Sequence, residues 1–93
     1  MTSERGRGSA VGRVALVTGG GKGVGAAIAQ GLAKDGMRVA ILGRDRAALD
    51  RTATAIGGLA VEADMSDPAA LLRAHAQVKE ALGPVAVLVH NAA

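Results

Sequence analysis

Short apolar segments alternate with longer alanine-rich segments along most of this 93-residue chain. The short segments consist largely of Val, Leu and Ile, which is typical of strands buried in a parallel sheet, and the longer ones repeat apolar residues at helical spacing. We predict strands over residues 13–17, 37–42, 59–63 and 85–89. The helices predicted between them cover residues 23–34, the segment from a cap at Asp45 to the stop at 57–58, and the segment from a start at 66–68 to the stop at 83–84.

Capping residues and apolar spacing predict the ends and the buried faces of the helices. Asp45 is a good N-cap residue, and Pro68 is tolerated in a first helical turn because the N–H that it lacks has no partner there. The residues expected to face the core are Val24, Ile28 and Leu32 in the first helix, Leu49, Ala53 and Ile56 in the second, and Leu71, Leu72, Val78 and Leu82 in the third.

The order β-α-β-α-β-α-β predicts an α/β fold, a Rossmann-type doubly wound parallel sheet that is incomplete. Right-handed crossovers give the strand order 3-2-1-4, with the first two helices on one face of the sheet and the third on the other. The strand order reverses between strands one and four. Ligands of open sheets bind at such a point, beyond the carboxyl ends of the strands.

A glycine-rich turn occupies this position. Residues 18–25 read Thr-Gly-Gly-Gly-Lys-Gly-Val-Gly and join the first strand to the first helix. One glycine permits a sharp turn out of the strand, another lets backbone N–H groups approach phosphates, and a third lets helix and strand pack closely. The helix start adds unpaired N–H groups and the positive end of its dipole. The turn is therefore predicted to bind a dinucleotide pyrophosphate.

With Gly19, Gly23 and Gly25 after Thr18, the turn reads T-G-x-x-x-G-x-G, which resembles the short-chain dehydrogenase/reductase family. The segment His90-Asn91-Ala92-Ala93 is similar to the Asn-Asn-Ala-Gly signature of that family, with His in place of the first Asn and Ala in place of the Gly. The resemblance covers residues 11–93, about the first third of a typical member. It implies an oxidoreductase that transfers hydride between a nicotinamide cofactor and a carbonyl or alcohol substrate.

The resemblance also implies which side chains contact the cofactor. In the family, an Asp after strand three contacts the adenine amino group, which is the position of Asp64, and the Asn of the strand-four signature lies near the adenosine ribose, which is the position of Asn91. Thr18, at the end of the first strand, is expected to support the glycine turn through its hydroxyl. The implied cofactor-binding residues are Thr18, Gly19, Gly21, Lys22, Gly23, Val24, Gly25, Arg44, Asp64, Met65, Asn91 and Ala92.

The end of the second strand bears on the choice between NADP and NAD. An acidic residue in the place of Gly43 would accept hydrogen bonds from a free ribose 2′-OH, whereas a small residue followed by Arg44 suits a 2′-phosphate. Lys22 would add a second positive charge, and basic residues at these two positions go with NADP in the family. NADP is therefore the expected cofactor. The alternative is that Arg44 is a solvated loop charge and Asp45 binds the ribose, which would favour NAD.

Composition limits the chemistry. The chain has no Cys, Phe, Trp or Tyr, which excludes disulfides and thiol ligands and agrees with a reducing cytoplasm, the expected location. The spacing of His, Asp and Glu indicates no metal site. Catalysis in the resembled family relies on a Ser and a Tyr-x-x-x-Lys on later elements, so we expect no catalytic residue here. Residues 13–93 are expected to be the N-terminal part of a dinucleotide-binding domain, truncated after strand four, without the interface elements of the usual homo-oligomers.

Most of the net charge of +3 comes from the N-terminus, where Arg5, Arg7 and Arg13 oppose Glu4. We expect residues 1–12 to form a flexible, solvated basic tail, and we predict neither a nucleic-acid partner nor a membrane span. Two other hypotheses stay open: a stand-alone, non-catalytic nucleotide-binding module, and nucleic-acid binding through the arginine tail. Nucleotide-sugar epimerases and methyltransferases also carry glycine turns, although Arg44 disfavours a methyltransferase, which usually has an acidic residue there.

Overall fold

The computed structural model describes residues 11–91, which form four strands and three helices in strict alternation. Most of the predicted basic tail, residues 1–10, lies outside the described residues, and so does Ala92. The elements are β1 (Val14–Thr18), α1 (Gly23–Lys34), β2 (Arg38–Gly43), α2 (Arg46–Ile56), β3 (Leu59–Glu62), α3 (Pro68–Leu82) and β4 (Val85–His90).

The strands form one parallel sheet in the order β3-β2-β1-β4, which confirms the predicted topology. Side chains of each inner strand point alternately to the two faces of the sheet. One face packs against α1 and α2 through a cluster that includes Val17, Ile41 and Leu49. The other packs against α3 through a cluster that includes Leu42 and Val78. The predicted division of the helices between the two faces is therefore confirmed.

The helix ends follow the sequence signals. The Asp45 side chain accepts a hydrogen bond from the backbone N–H of Ala48 at 3.1 Å and caps α2, while Gly57, with φ 66°, ends that helix in the left-handed conformation. Asp67 caps α3 ahead of Pro68. Each cap satisfies N–H groups that have no partner inside the helix.

The strands end one residue away from several predicted bounds. The predictions followed apolar side chains, whereas backbone pairing continues through polar ones. Thr18 pairs in register with both Leu42 and His90 at the end of the ladder. Conversely, the exposed Arg13 lies just before β1.

The prediction of inward-facing residues is wrong at two positions. Val24 is 65% exposed and Leu72 is 73% exposed. In α1 the buried residues are Gly25, which packs on the Gly19 carbonyl, and Ala29, while Ile28 and Leu32 are partly buried against the core. Leu72 lies beside β4, where none of the helices in residues 11–91 covers the sheet, and lines an apolar groove there with Leu88.

The β4 strand is apolar but half exposed. Val85, Val87 and Val89 are partly buried, while the alternate residues, including Leu88, are exposed. Within residues 11–91, β4 is an edge strand with one neighbour, β1. None of the helices in this part of the chain is long and apolar enough to cross a membrane.

Candidate functional site

A cleft of about 530 Å³ runs along the carboxyl ends of all four strands. It adjoins a second cleft of about 290 Å³ between the glycine turn and the start of α2. Parallel strands end on the same edge of the sheet, so residues distant in sequence meet there. The first cleft is lined by Gly19, Gly43, Arg44, Asp64, Met65, Ser66, His90 and Asn91. The second is lined by Gly19, Gly21, Lys22, Gly43, Arg44, Asp45 and Leu49.

The glycine turn has the tight geometry that its sequence predicts. Gly19 has φ 70°, a conformation that L side chains rarely adopt, and its N–H donates to the carbonyl oxygen of Leu42 at 2.6 Å. Gly25 packs directly on this turn, because a Cβ there would collide with the carbonyl oxygen of Gly19. Glycine at these two positions therefore brings the start of α1 against the end of β1.

Lys22 lies across the second cleft from the cap of α2. Its Nζ is 2.9 Å from Oδ2 of Asp45, and the side chains are 70% and 47% exposed. Hydrogen bonds from Lys22, and then from the backbone N–H of Ala48, lower the pKa of Asp45 below its ordinary value. Asp45 thus engages both carboxylate oxygens, one with the helix backbone and the other with Lys22.

Arg44 and Asp64 line the same cleft from adjacent strand ends. Asp64 accepts two hydrogen bonds from Ser66 through Oδ1, from the backbone N–H at 2.9 Å and from the hydroxyl at 2.7 Å. These bonds lower the pKa of the Asp64 carboxyl, and the charge of Arg44 adds a smaller effect in the same direction. The carboxylate is therefore fixed and ionised at neutral pH. Met65, next in the chain, contributes an apolar wall.

Thr18 joins the end of β1 to the end of β4. Its hydroxyl oxygen accepts a hydrogen bond from the backbone N–H of Asn91 at 3.1 Å and lies 3.0 Å from Nδ1 of His90. Asn91 in turn donates from Nδ2 to the carbonyl oxygen of Gly19 at 3.4 Å. Thr18 therefore supports the glycine turn indirectly, by holding Asn91 beside it.

The two clefts bring together most of the residues predicted to form the site. Thr18 is buried behind them, Gly25 supports the turn, and Gly23 and Val24 are exposed at the start of α1. Ala92 lies outside the described residues. The members that line the clefts are Gly19, Gly21, Lys22, Arg44, Asp64, Met65 and Asn91.

Three residues at the site were not predicted for their observed contacts. Ser66 was predicted only as part of a helix start, yet it orients Asp64. His90 was considered only as the residue in place of the first Asn of the signature, and its contact with Thr18 was not foreseen. Thr52, on α2, donates its hydroxyl to the carbonyl oxygen of Gly21 at 3.1 Å. A threonine in the middle of an amphipathic helix gives little sign of such a contact. Across residues 11–91, no three His, Asp or Glu side chains are grouped to hold a metal ion.

The sequence of this chain is similar to those of several known proteins. The sequence pattern of the short chain dehydrogenase family matches residues 13–93. The chain is 44% identical over 90 residues to the 3-oxoacyl-[acyl-carrier-protein] reductase MabA of Mycobacterium avium, covering 97% of this chain and 33% of that protein. It is 40% identical over 85 residues to the NADP-dependent (R)-specific alcohol dehydrogenase of Lentilactobacillus kefiri, covering 87% of this chain and 34% of the relative.

This chain is also similar in structure to a solved protein. The Pseudomonas aeruginosa RhlG/NADP active-site complex superposes with a TM-score of 0.79 at 42% identity, over 87% of this chain and 34% of that one. The chain thus spans about a third of the length of the proteins that it matches.

Proposed function

Because this chain belongs to the short-chain dehydrogenase family, we propose that it supplies the NADP(H)-binding part of an oxidoreductase. That enzyme would transfer hydride between the nicotinamide and a carbonyl or alcohol substrate of small size. The chemistry that the cofactor supplies when bound is hydride donation or acceptance. The residues described above bind and orient the cofactor, and these 93 residues, which include no tyrosine, leave the proton transfer to groups elsewhere in the enzyme.

The shape of the glycine turn supports a dinucleotide. Gly19 and Gly25 pack so closely that side chains are excluded between strand and helix, whereas a Cβ at Gly23 would meet no atom within 4 Å. The start of α1 is thus open to an anion, and its unpaired N–H groups attract one. We assign the pyrophosphate to this turn, with Gly21, Gly23 and Val24 as its backbone contacts.

The observation that carries the choice of NADP is the pair Gly43 and Arg44 at the carboxyl end of β2, on the cleft wall. No carboxylate stands at position 43, and Asp45, the nearest one in sequence, is held by Lys22 and the α2 backbone. The exposed guanidinium of Arg44 matches a phosphate through parallel hydrogen bonds. We assign the 2′-phosphate to Arg44, with Lys22 as a second positive charge. Two similar proteins support this choice, an alcohol dehydrogenase named as NADP-dependent and RhlG, whose solved structure is an NADP complex.

The other assignments follow the order of the strand ends. Asp64, fixed by Ser66, is assigned to the adenine amino group, and Met65 to the side of the ring. Asn91 and Ala92 are assigned to the neighbourhood of the ribose at β4. We also propose that the enzyme works in the cytoplasm and as a homo-oligomer.

Substitution of Arg44 by Asp tests the cofactor assignment. We expect R44D to weaken NADPH binding about 10-fold or more, since a charge-assisted hydrogen bond contributes about 1.5–3 kcal/mol, and to leave NADH binding equal or stronger. Isothermal titration with each dinucleotide gives the two dissociation constants. R73D is the control, because Arg73 is exposed on α3 and lines neither cleft. An unchanged preference for NADPH in R44D would show that Arg44 does not bind the 2′-phosphate.

A second test concerns the enzyme as a whole. We expect the gene to encode an in-frame Tyr-x-x-x-Lys downstream of these residues. A reading frame without such a motif would contradict the oxidoreductase proposal and favour a non-catalytic nucleotide-binding module.

A further inference from the structure

The glycine turn is attached to α2 as well as to the helix that it opens. Residues 45, 48, 49 and 52 share one face of α2 at helical spacing. This face lies so close to the turn that a Cβ at Gly21 would be 3.2 Å from the backbone nitrogen of Leu49 and 3.3 Å from the Cβ of Ala48. At the two ends of the contact are the Lys22–Asp45 ion pair and the hydrogen bond from Thr52 to Gly21.

Thr52 is the buried member of this contact. Its exposure is 7%, against about half for the Asp45 side chain. A helical threonine ordinarily bonds back to the carbonyl of the preceding turn. Here the hydroxyl instead donates to the carbonyl oxygen of Gly21, 31 positions earlier in the chain, at 3.1 Å. A buried hydrogen bond between distant segments fixes their relative position more firmly than an exposed ion pair does.

The orientation of a peptide group follows from this bond. In a planar trans peptide, the C=O of one residue and the N–H of the next point in opposite directions. When Thr52 holds the Gly21 carbonyl toward α2, the backbone N–H of Lys22 points away from α2. A carbonyl oxygen directed at a bound phosphate would repel it, so this arrangement favours an anion at the turn.

We propose that Thr52 is a positioning residue of the phosphate-binding turn, which acts by holding the Gly21 carbonyl against α2. This inference rests on the proposed function only in that the turn binds a diphosphate. The pyrophosphate is common to NADPH and NADH. Loss of the Thr52 hydroxyl therefore weakens the binding of both dinucleotides by a similar factor. Loss of Arg44 instead changes the ratio of their two dissociation constants.

Three substitutions at one position test this role. T52V removes the hydroxyl and keeps the shape, T52A removes the hydroxyl with less volume, and T52S keeps the hydroxyl. T54V is the matched control, because Thr54 is exposed on the same helix and undergoes the same chemical change. The dissociation constants of NADPH, NADH and ADP are measured by calorimetry on each purified variant, with circular dichroism to follow its thermal unfolding.

We expect T52V and T52A to weaken all three ligands about fivefold, the effect of one lost hydrogen bond, while T52S and T54V stay within about twofold of the original protein. If T52V does not fold, the comparison of T52A with T52S still isolates the hydroxyl. A lower unfolding temperature with unchanged dissociation constants would overturn the proposal and leave Thr52 a purely structural residue.

The ADP measurement separates this inference from the proposed function. A protein that binds ADP but discriminates against NADPH contradicts the cofactor assignment and leaves the Thr52 effect measurable. A protein that binds none of the three ligands contradicts both.

Discussion

Strands β2 and β4 have similar apolar sequences and very different surroundings. In β2, Ile41 is fully buried and Leu42 is 2% exposed, because α1 and α2 cover one face and α3 the other. In β4, Leu88 is 64% exposed, since none of the helices in residues 11–91 lies over that side of the strand. The burial of these side chains depends on the place of the strand in the sheet. The amino-acid composition of a strand alone does not show whether its side chains are buried.

The same difference extends to the cleft. The residues after β2 stand on a core packed from both sides, and α2, which follows them, is attached to the glycine turn by Asp45 and Thr52. The residues at the end of β4 are held mainly through Thr18. The part of the cleft assigned to the pyrophosphate and the 2′-phosphate is therefore the better supported one. The β4 end has fewer packing contacts to resist displacement.

Truncation of one side chain in each strand gives the largest expected effect. We expect I41A to lower the free energy of unfolding by about 3 kcal/mol, because it leaves a cavity in a closed core. L88A, the same kind of change at an exposed position of β4, is expected to alter it by less than about 0.5 kcal/mol. Urea denaturation measures both. Equal losses would show that β4 is covered as completely as β2 in solution.

Gly25 packs against both the glycine turn and the residue that follows β4, because a Cβ there would strike the Gly19 carbonyl and approach Nδ2 of Asn91. We expect G25A to lower the free energy of unfolding by about 2 kcal/mol through overpacking and to weaken NADPH binding. G31A is the control in the same helix, since a Cβ at Gly31 meets no atom within 4 Å. It should stabilise the protein by about 0.5–1 kcal/mol, because alanine is the better helix former. Similar behaviour of the two variants would contradict the close approach of α1 to the turn.

The sequence predicts the topology well, because alternating elements and right-handed crossovers leave few arrangements. It predicts single side chains less well where spacing alone must choose a helix face. Ile28 and Leu32 pack against the core as predicted, but Val24 is exposed, and the fully buried residues of α1 are the small Gly25 and Ala29.

The predicted site residues that line the clefts converge because parallel strands end at one edge. Contacts between side chains of different elements, such as Lys22 with Asp45 and Thr52 with Gly21, depend on how α2 sits on the turn. No local pattern encodes that placement.

The smallest expected effect concerns the charge at the cap of α2. The pKa of Asp45 is lowered, mostly by Lys22 and to a smaller extent by the Ala48 N–H. The folded protein therefore favours the ionised form of this side chain. The contribution of that charge to stability is complete above the unfolded pKa of about 3.9 and is lost as pH falls through the lower folded pKa. D45N keeps an N-cap acceptor and removes the charge. We expect its stability to fall less than that of the original protein between about pH 5 and pH 2.

Urea midpoints measured across that range, with D50N as the control, test this expectation. Asp50 forms an exposed ion pair with Arg46 within α2. D50N makes the same chemical change away from the turn, and it should change the urea midpoint little, since exposed pairs contribute little to stability. If D45N loses stability on acidification as steeply as the original protein does, the Lys22–Asp45 pair does not connect the turn to α2 in solution. Thr52 would then be the residue that attaches the turn to α2. The firmer support of the cleft at the end of β2 than at the end of β4 would come from packing, without a measurable contribution from the Lys22–Asp45 charges.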